Sequence, residues 1–198
     1  MKEKGKSSDS GKKPGLQNAF GEQRGDSARV GLSYDHPNET ALKEALIQTL
    51  AESPTGNRLL TMGRDYKVNI RVVKGTGPQG YTTEGKALFL AVPPARKKPK
   101  PVDVLNLGAA LREIEHEIMG FAVPAPGQAD PLEIASLVHA KFLDIIVHMC
   151  KISREMVEKK ADKAYTDAIE DLGHGDIYRT FLAEMGDEGL VDAYLQTE

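Results

Sequence analysis

The alternation of apolar and polar positions changes period several times along the chain, and each change predicts an element. Leu42, Ala45, Leu46, Thr49 and Leu50 recur at helical spacing after Asn38, a good N-cap, and Ser53-Pro54 ends that helix. Leu59, Leu60 and Met62 predict one further helical turn before Gly63. From Tyr66 the period falls to two: Tyr66, Val68, Ile70 and Val72 alternate with Lys67, Asn69 and Arg71, the pattern of a half-buried strand. A Gly-rich turn over 75–80 follows, then a second extended run from Tyr81 to Val92, whose end, Ala87 to Val92, is apolar enough for burial on both faces.

Pro93-Pro94 closes that strand, and Asp103 is placed to cap a helix from Val104 to about Phe121. After a Pro/Gly loop, Asp130-Pro131-Leu132-Glu133 reads as a helix start, with Asp at the N-cap, Pro at N1 and Glu at N3. The helix it opens is apolar nearly all round as far as Cys150, with Val138, Phe142, Ile145, Ile146 and Met149 as its main stripe. Such a helix is expected at the centre of the domain, with Phe142 and Ile146 buried. Beyond Lys151 it turns amphipathic, and Gly173 and Gly175 interrupt it before a short helix with Ile177, Tyr178, Phe181, Leu182 and Met185. A last turn carries Leu190, Val191, Tyr194 and Leu195. Helix, strand, strand, helix and then helices alone is an α+β order.

Residues 1–36 are rich in Lys, Ser, Gly, Gln and Asp, with few sizeable apolar groups, which predicts a disordered tether ahead of a single domain over 37–198. The chain has 198 residues and a net charge of −3, unevenly spread: residues 151–198 carry six basic and twelve acidic side chains. That acidic end argues against a nucleic-acid binder, whose surface must neutralise phosphates. The basic run Arg96-Lys97-Lys98-Pro99-Lys100 reads as a solvated loop. No apolar run is long enough to span a bilayer and no secretory signal follows Met1, so no membrane partner is expected. The lone Cys150 excludes a disulfide framework and suits a reducing cytoplasm.

Chemistry concentrates in Leu111-Arg112-Glu113-Ile114-Glu115-His116-Glu117-Ile118-Met119-Gly120-Phe121. Helical geometry puts Glu113, His116, Glu117 and Gly120 on one face, with Arg112 beside His116 at i, i+4. Without a metal, an Arg112–His116–Glu cluster accounts for these residues as ion pairs, and Glu113 and Glu117 as a solvated face. Glu113-x-x-His116 also matches one unit of the carboxylate-bridged di-iron bundles, an alternative that makes the protein a carboxylate/His metal binder.

This stretch, with the strands before it, resembles the zincin metallopeptidases, and most of all the bacterial zincin-like metallopeptidase domains of unknown function. In those proteins a strand pair precedes a helix bearing His-Glu-x-x-His, and a later helix adds a third zinc ligand. The resemblance spans roughly residues 40 to 150. The run Leu137-Val138-His139-Ala140-Lys141-Phe142 is similar to the family's ligand run, with His139 in the ligand position. The chain departs from the motif in either frame: Arg112 stands at the first ligand of 112–116, and Gly120 at the second of 116–120. The resemblance implies zinc held by His116 and His139, with Glu133 as a further candidate that is also explained as a cap, and Glu113 or Glu117 as catalytic base. His116 and His139 are then expected across one pocket with one of these glutamates. With one imidazole missing, it implies a peptidase with a degenerate metal motif, active or inactive; the alternative is a non-enzymatic protein that keeps the scaffold to bind a peptide or protein partner.

Overall fold

The computed structural model describes residues 37–75, 79–160 and 163–183. The expected tether over 1–36, part of the Gly-rich turn, Met185 and the last turn around Leu190 lie outside the described residues. Within them the chain is α+β, with six helices and one three-stranded sheet. None of these helices is long and apolar enough to cross a membrane.

Helix α1 (Pro37–Leu50) buries Leu42, Leu46 and Leu50, one side chain per turn. The predicted break at Ser53-Pro54 is also a start. Ser53 is extended, its Oγ accepts the Gly56 N–H at 3.0 Å, and Pro54 sits at N1 of α2 (Pro54–Asp65). One turn was expected here, and a twelve-residue helix forms. Glu155, far along the chain, steadies that start: its carboxylate accepts from Ser53 Oγ, from the Thr55 N–H at 3.0 Å and from Thr55 Oγ1 at 2.6 Å. A carboxylate at a helix N-terminus meets unpaired N–H groups and the positive end of the dipole. The first turn of α2 presses on the end of α1 so closely that a Cβ on Gly56 would lie 2.3 Å from the Leu50 carbonyl oxygen.

The strand expected from Tyr66 begins later, because Tyr66 to Val68 end α2 instead. Lys67 is left-handed (φ 59°), and the Val68 N–H reaches back to the Gly63 carbonyl at 2.7 Å. β1 then runs over Asn69–Lys74. The second extended run is two strands, β2 (Gly80–Glu84) and β3 (Ala87–Val92), folded on each other at Gly85-Lys86. Gly85 alone of these two has a positive φ (61°), the φ pattern of a type II′ hairpin turn. β3 lies in the middle, antiparallel to β2 and parallel to β1. Its burial alternates, against the expectation of two sealed faces. Leu88, Leu90 and Val92 enter the core, while Phe89 on the other face lies under the Arg71 guanidinium, 5.9 Å from the ring centre.

Helix α3 (Pro101–Ile118) starts before Asp103, which is its N3 residue and not its N-cap. Asp103 Oδ2 accepts the Lys100 N–H at 2.9 Å and lies 2.9 Å from Arg96 Nε. Arg96 is thus not a solvated loop residue: its side chain is tucked against the helix start, and Asp103 is buried, which raises its pKa against the pull of Lys100 and Arg96.

The central helix is α3 and not, as the pattern suggested, the next one. Every residue from Asp103 to Leu111 is buried, and α3 touches α1, α2, α4, α5, β2 and β3. Helix α4 (Pro131–Lys160) crosses it in the opposite direction, with Ile152 against Gly108 and Asp144 against Arg112 and His116. Its buried residues all lie from Ile145 onward. The first turns run past the end of α3, so Leu132 is 79 % exposed, Val138 45 %, and Phe142 is only half-buried. Helices α5 (Ala164–Asp171) and α6 (Gly175–Leu182) close the far side with Tyr165, Ile169, Ile177 and Tyr178.

Candidate functional site

The antiparallel crossing of α3 and α4 brings the last turns of α3 onto the middle of α4. Arg112 and His116, one turn apart on α3, both reach Oδ2 of Asp144: Arg112 Nε at 2.5 Å and His116 Nε2 at 2.8 Å. The Arg112 guanidinium also donates from Nη1 to Glu115 Oε2, and Arg58 of α2 donates to both oxygens of the same Glu115, with Nη2 at 3.0 Å from Oε2. His148, one turn beyond Asp144, donates from Nδ1 to the Asp144 backbone carbonyl at 2.9 Å. The result is a chain of alternating charge across three helices.

Each protonation state follows from its neighbours. Burial alone would raise the pKa of Asp144, but the hydrogen bond from Arg112 and the charges of His148, Arg112 and His116 outweigh it and hold it low. Burial opposes ionisation of Glu115 too, and the hydrogen bonds from Arg58 and Arg112 overcome it. Burial works against the Arg112 cation, yet its two carboxylates keep its pKa above the ordinary value. His116 is lowered by burial and by the Arg112 charge, against the pull of Asp144. A neutral His116 facing an ionised Asp144 must carry its proton on Nε2, which leaves a bare Nδ1. That atom is buried without a hydrogen-bond partner. Two guanidinium cations and two carboxylates cancel, with neutral imidazoles at the end.

Above this network lies an open cleft of about 450 Å³, lined by Arg112, His116, Met119, Gly120, Phe121, Lys141 and Asp144. Its rim is made by the end of α3. Gly120 is left-handed (φ 77°); its N–H bonds the Glu117 carbonyl at 3.1 Å and the Phe121 N–H bonds the His116 carbonyl at 2.9 Å. This is a Schellman cap, and it turns the chain so that Phe121 lies over His116, ring centres 5.4 Å apart. Gly120 is therefore past the helix. Only the 112–116 frame places both motif positions on one helical face.

The sequence-predicted site residues are not gathered at this cleft. His116 lines it; Glu113, Glu117, Glu133 and His139 do not. Glu113 faces Lys141 at 3.6 Å and adds its charge to the burial that raises the Tyr81 hydroxyl pKa. Glu117 is exposed, as is Glu133. Glu133 lies on the Asp144 side of α4 but eleven residues away, about 16 Å along the axis. His139 is half-buried and five residues from Asp144, about 140° round the helix. The expected pairing of His116 and His139 across one pocket with a glutamate is thus not the arrangement of this cleft.

The carboxylates that matter here, Glu115 and Asp144, were not among the candidates. Asp144 stood as a lone charge inside the apolar run Phe142-Leu143-Asp144-Ile145-Ile146, and Glu115 on the buried register of Gly108 and Leu111, one turn apart each. An acid in such a position calls for a buried partner.

Zinc does not fit these residues as they stand. Among the described residues no three His, Cys, Asp or Glu side chains are grouped to hold a metal ion. His116 and His148 both face Asp144 Oδ2, at 2.8 and 3.6 Å, and the Arg112 guanidinium already sits on that oxygen. No protein-family model, curated protein or solved structure matches the chain.

Proposed function

We propose that the protein is a metal-independent interaction module: a zincin-like domain with a lapsed metal motif, whose cleft between the end of α3 and the middle of α4 holds a peptide or protein partner. One observation carries the reading. The ionised side chains that line the cleft are paired within the chain, Asp144 with Arg112, Lys141 with Glu113, and Arg112 with Glu115 as well, while the rim presents Met119 at 72 % exposure and Phe121 at 36 %. A floor in that state offers no unpaired carboxylate to activate water. An exposed Met and Phe beside a polar floor is the make-up of a binding surface, where a few apolar anchors carry most of the affinity. We further propose a reducing, cytoplasmic setting, supported by the lone Cys150, whose thiol burial pushes up to about 12.

Selection of displayed random peptides against the full chain, with zinc content and hydrolysis of an unstructured protein substrate measured on the same preparation, tests this. The expected result is peptides that bind the wild type, lose at least tenfold in affinity to Phe121→Ser, and are not cleaved. Stoichiometric zinc with hydrolysis abolished by His116→Ala overturns the reading, as does a set of peptides indifferent to Phe121 and Met119.

A further inference from the structure

We infer that Arg112 is the resident cation of a latent metal site: its guanidinium stands at a ligand position beside His116 and supplies the positive charge that a zinc ion would bring, and Asp144 is the third-ligand carboxylate of that site. Asp144 Oδ2 takes Arg112 Nε at 2.5 Å and His116 Nε2 at 2.8 Å, so two nitrogens one helical turn apart converge on a carboxylate from the facing helix. Ligands of a tetrahedral zinc at 2.0–2.1 Å lie about 3.3 Å from one another. Both N–O separations lie within about 1 Å of that spacing.

Two of the three positions hold ligand-type side chains; the third holds a cation where a ligand should stand. An imidazole Nε2 lies nearly as far along its side chain as an arginine Nε does. A histidine at 112 would therefore present nitrogen where Arg112 now presents Nε, and the cation in direct contact with Asp144 Oδ2 would be gone. Arg112 in turn explains why the carboxylates tolerate their burial without a metal: one guanidinium bridges Asp144 and Glu115, the service a bound divalent cation renders elsewhere. His139 and Glu133 have no part in the site.

The test is a gain of binding in the full chain. Arg112→His is expected to take up one zinc per chain by elemental analysis, to raise its melting temperature by several degrees in excess zinc, and to give the visible absorption of tetrahedral cobalt when loaded with Co(II). Adding Asp144→Asn or His116→Gln to that variant should abolish all three signals, and adding His139→Ala should leave them. Wild type and Arg112→Met should show none. If Arg112→His folds, by circular dichroism, and ignores zinc and cobalt, the inference fails; if it folds neither with nor without zinc, the inference fails also, since the metal was to replace the guanidinium. The wild-type part of this inference rests on the metal-independent reading above. Zinc uptake by wild type overturns both, whereas a silent Arg112→His overturns this one alone.

Discussion

Arg112 on α3 and Asp144 on α4, thirty-two residues apart in the chain, are joined at 2.5 Å with the Arg112 side chain 16 % exposed and that of Asp144 35 % exposed. An ion pair at that depth differs from one on the surface. Water does not replace the lost partner fully, so removing either member leaves a charge poorly solvated.

A double-mutant cycle measures this coupling. Arg112→Met and Asp144→Asn are each expected to lower unfolding free energy, and the double variant to lose less than their sum, with a coupling of about 1–3 kcal/mol. Additive losses would mean that the pair contributes nothing beyond its parts, as in most surface pairs.

The identity of the central helix has its own test. Leu107, fully buried on α3, should cost about 2–5 kcal/mol when truncated to Ala, through lost burial and the cavity left behind. Val138→Ala on the projecting part of α4 should change stability by less than about 0.5 kcal/mol. Denaturant melts of the two variants decide it, and equal losses would return α4 to the centre.

Gly56 offers a case in which helix propensity and packing oppose each other. Alanine inside a helix is favoured over glycine by about 1 kcal/mol. Here a Cβ would meet the Leu50 carbonyl oxygen at 2.3 Å, and a backbone atom cannot swing aside. Gly56→Ala should therefore destabilise by about 1–3 kcal/mol, the cost of overpacking. Gly80→Ala, where a Cβ meets nothing within 4 Å, is the control for substitution as such.

Acid should weaken the fold in two steps. His116, His148 and His174 all have lowered pKa values, with burial the leading cause. The unfolded chain titrates them near about 6.5. Between that value and the lower folded ones the unfolded state holds more protons, so stability is full above about pH 7 and falls as pH drops through that window. Glu115 and Asp144, also lowered, lose their contribution in a more acid window that opens at about pH 4. Asp103, raised by burial, works the other way and earlier: it adds stability as pH falls towards about 4, before that window opens. Urea midpoints between pH 8 and pH 3 should show both steps. His174→Gln should flatten the first, since burial alone sets its shift, and a stability unchanged from pH 7.5 to pH 5 would contradict the assignment.

The class of fold and most elements were legible because periodicity reports which face of an element is apolar. It does not report what that face meets. The first turns of α4 carry Leu132 and Val138 on a strongly apolar pattern, yet they lie beyond the end of α3 and stay exposed. The true centre was signalled by Gly108-Ala109-Ala110, small residues that let another helix approach; Gly108 sits directly under Ile152. The hairpin was hidden because Gly85 separates two strands that read as one extended run. At the site, His116 and Arg112 were visible as helical neighbours. Arg58 lies fifty-seven residues from the Glu115 it pairs with, and nothing local to either residue announces the other.

The order of strands in the sheet has a consequence for how the chain is made. β2 and β3 pair across two loop residues, so their hairpin closes at little entropic cost, within about 1–10 μs of being available. β1 pairs only with β3 among the described residues, and Asn69 waits for Ala87, eighteen positions further on (69 to 87). On a ribosome adding about 5–20 residues per second, β1 emerges about 1–4 s before its partner. For that interval Ile70, Val72 and Val73 have no strand to pair with, and Arg71 among them and Lys74 at the strand's end are charges of the kind that keep an unpaired edge from joining the wrong neighbour.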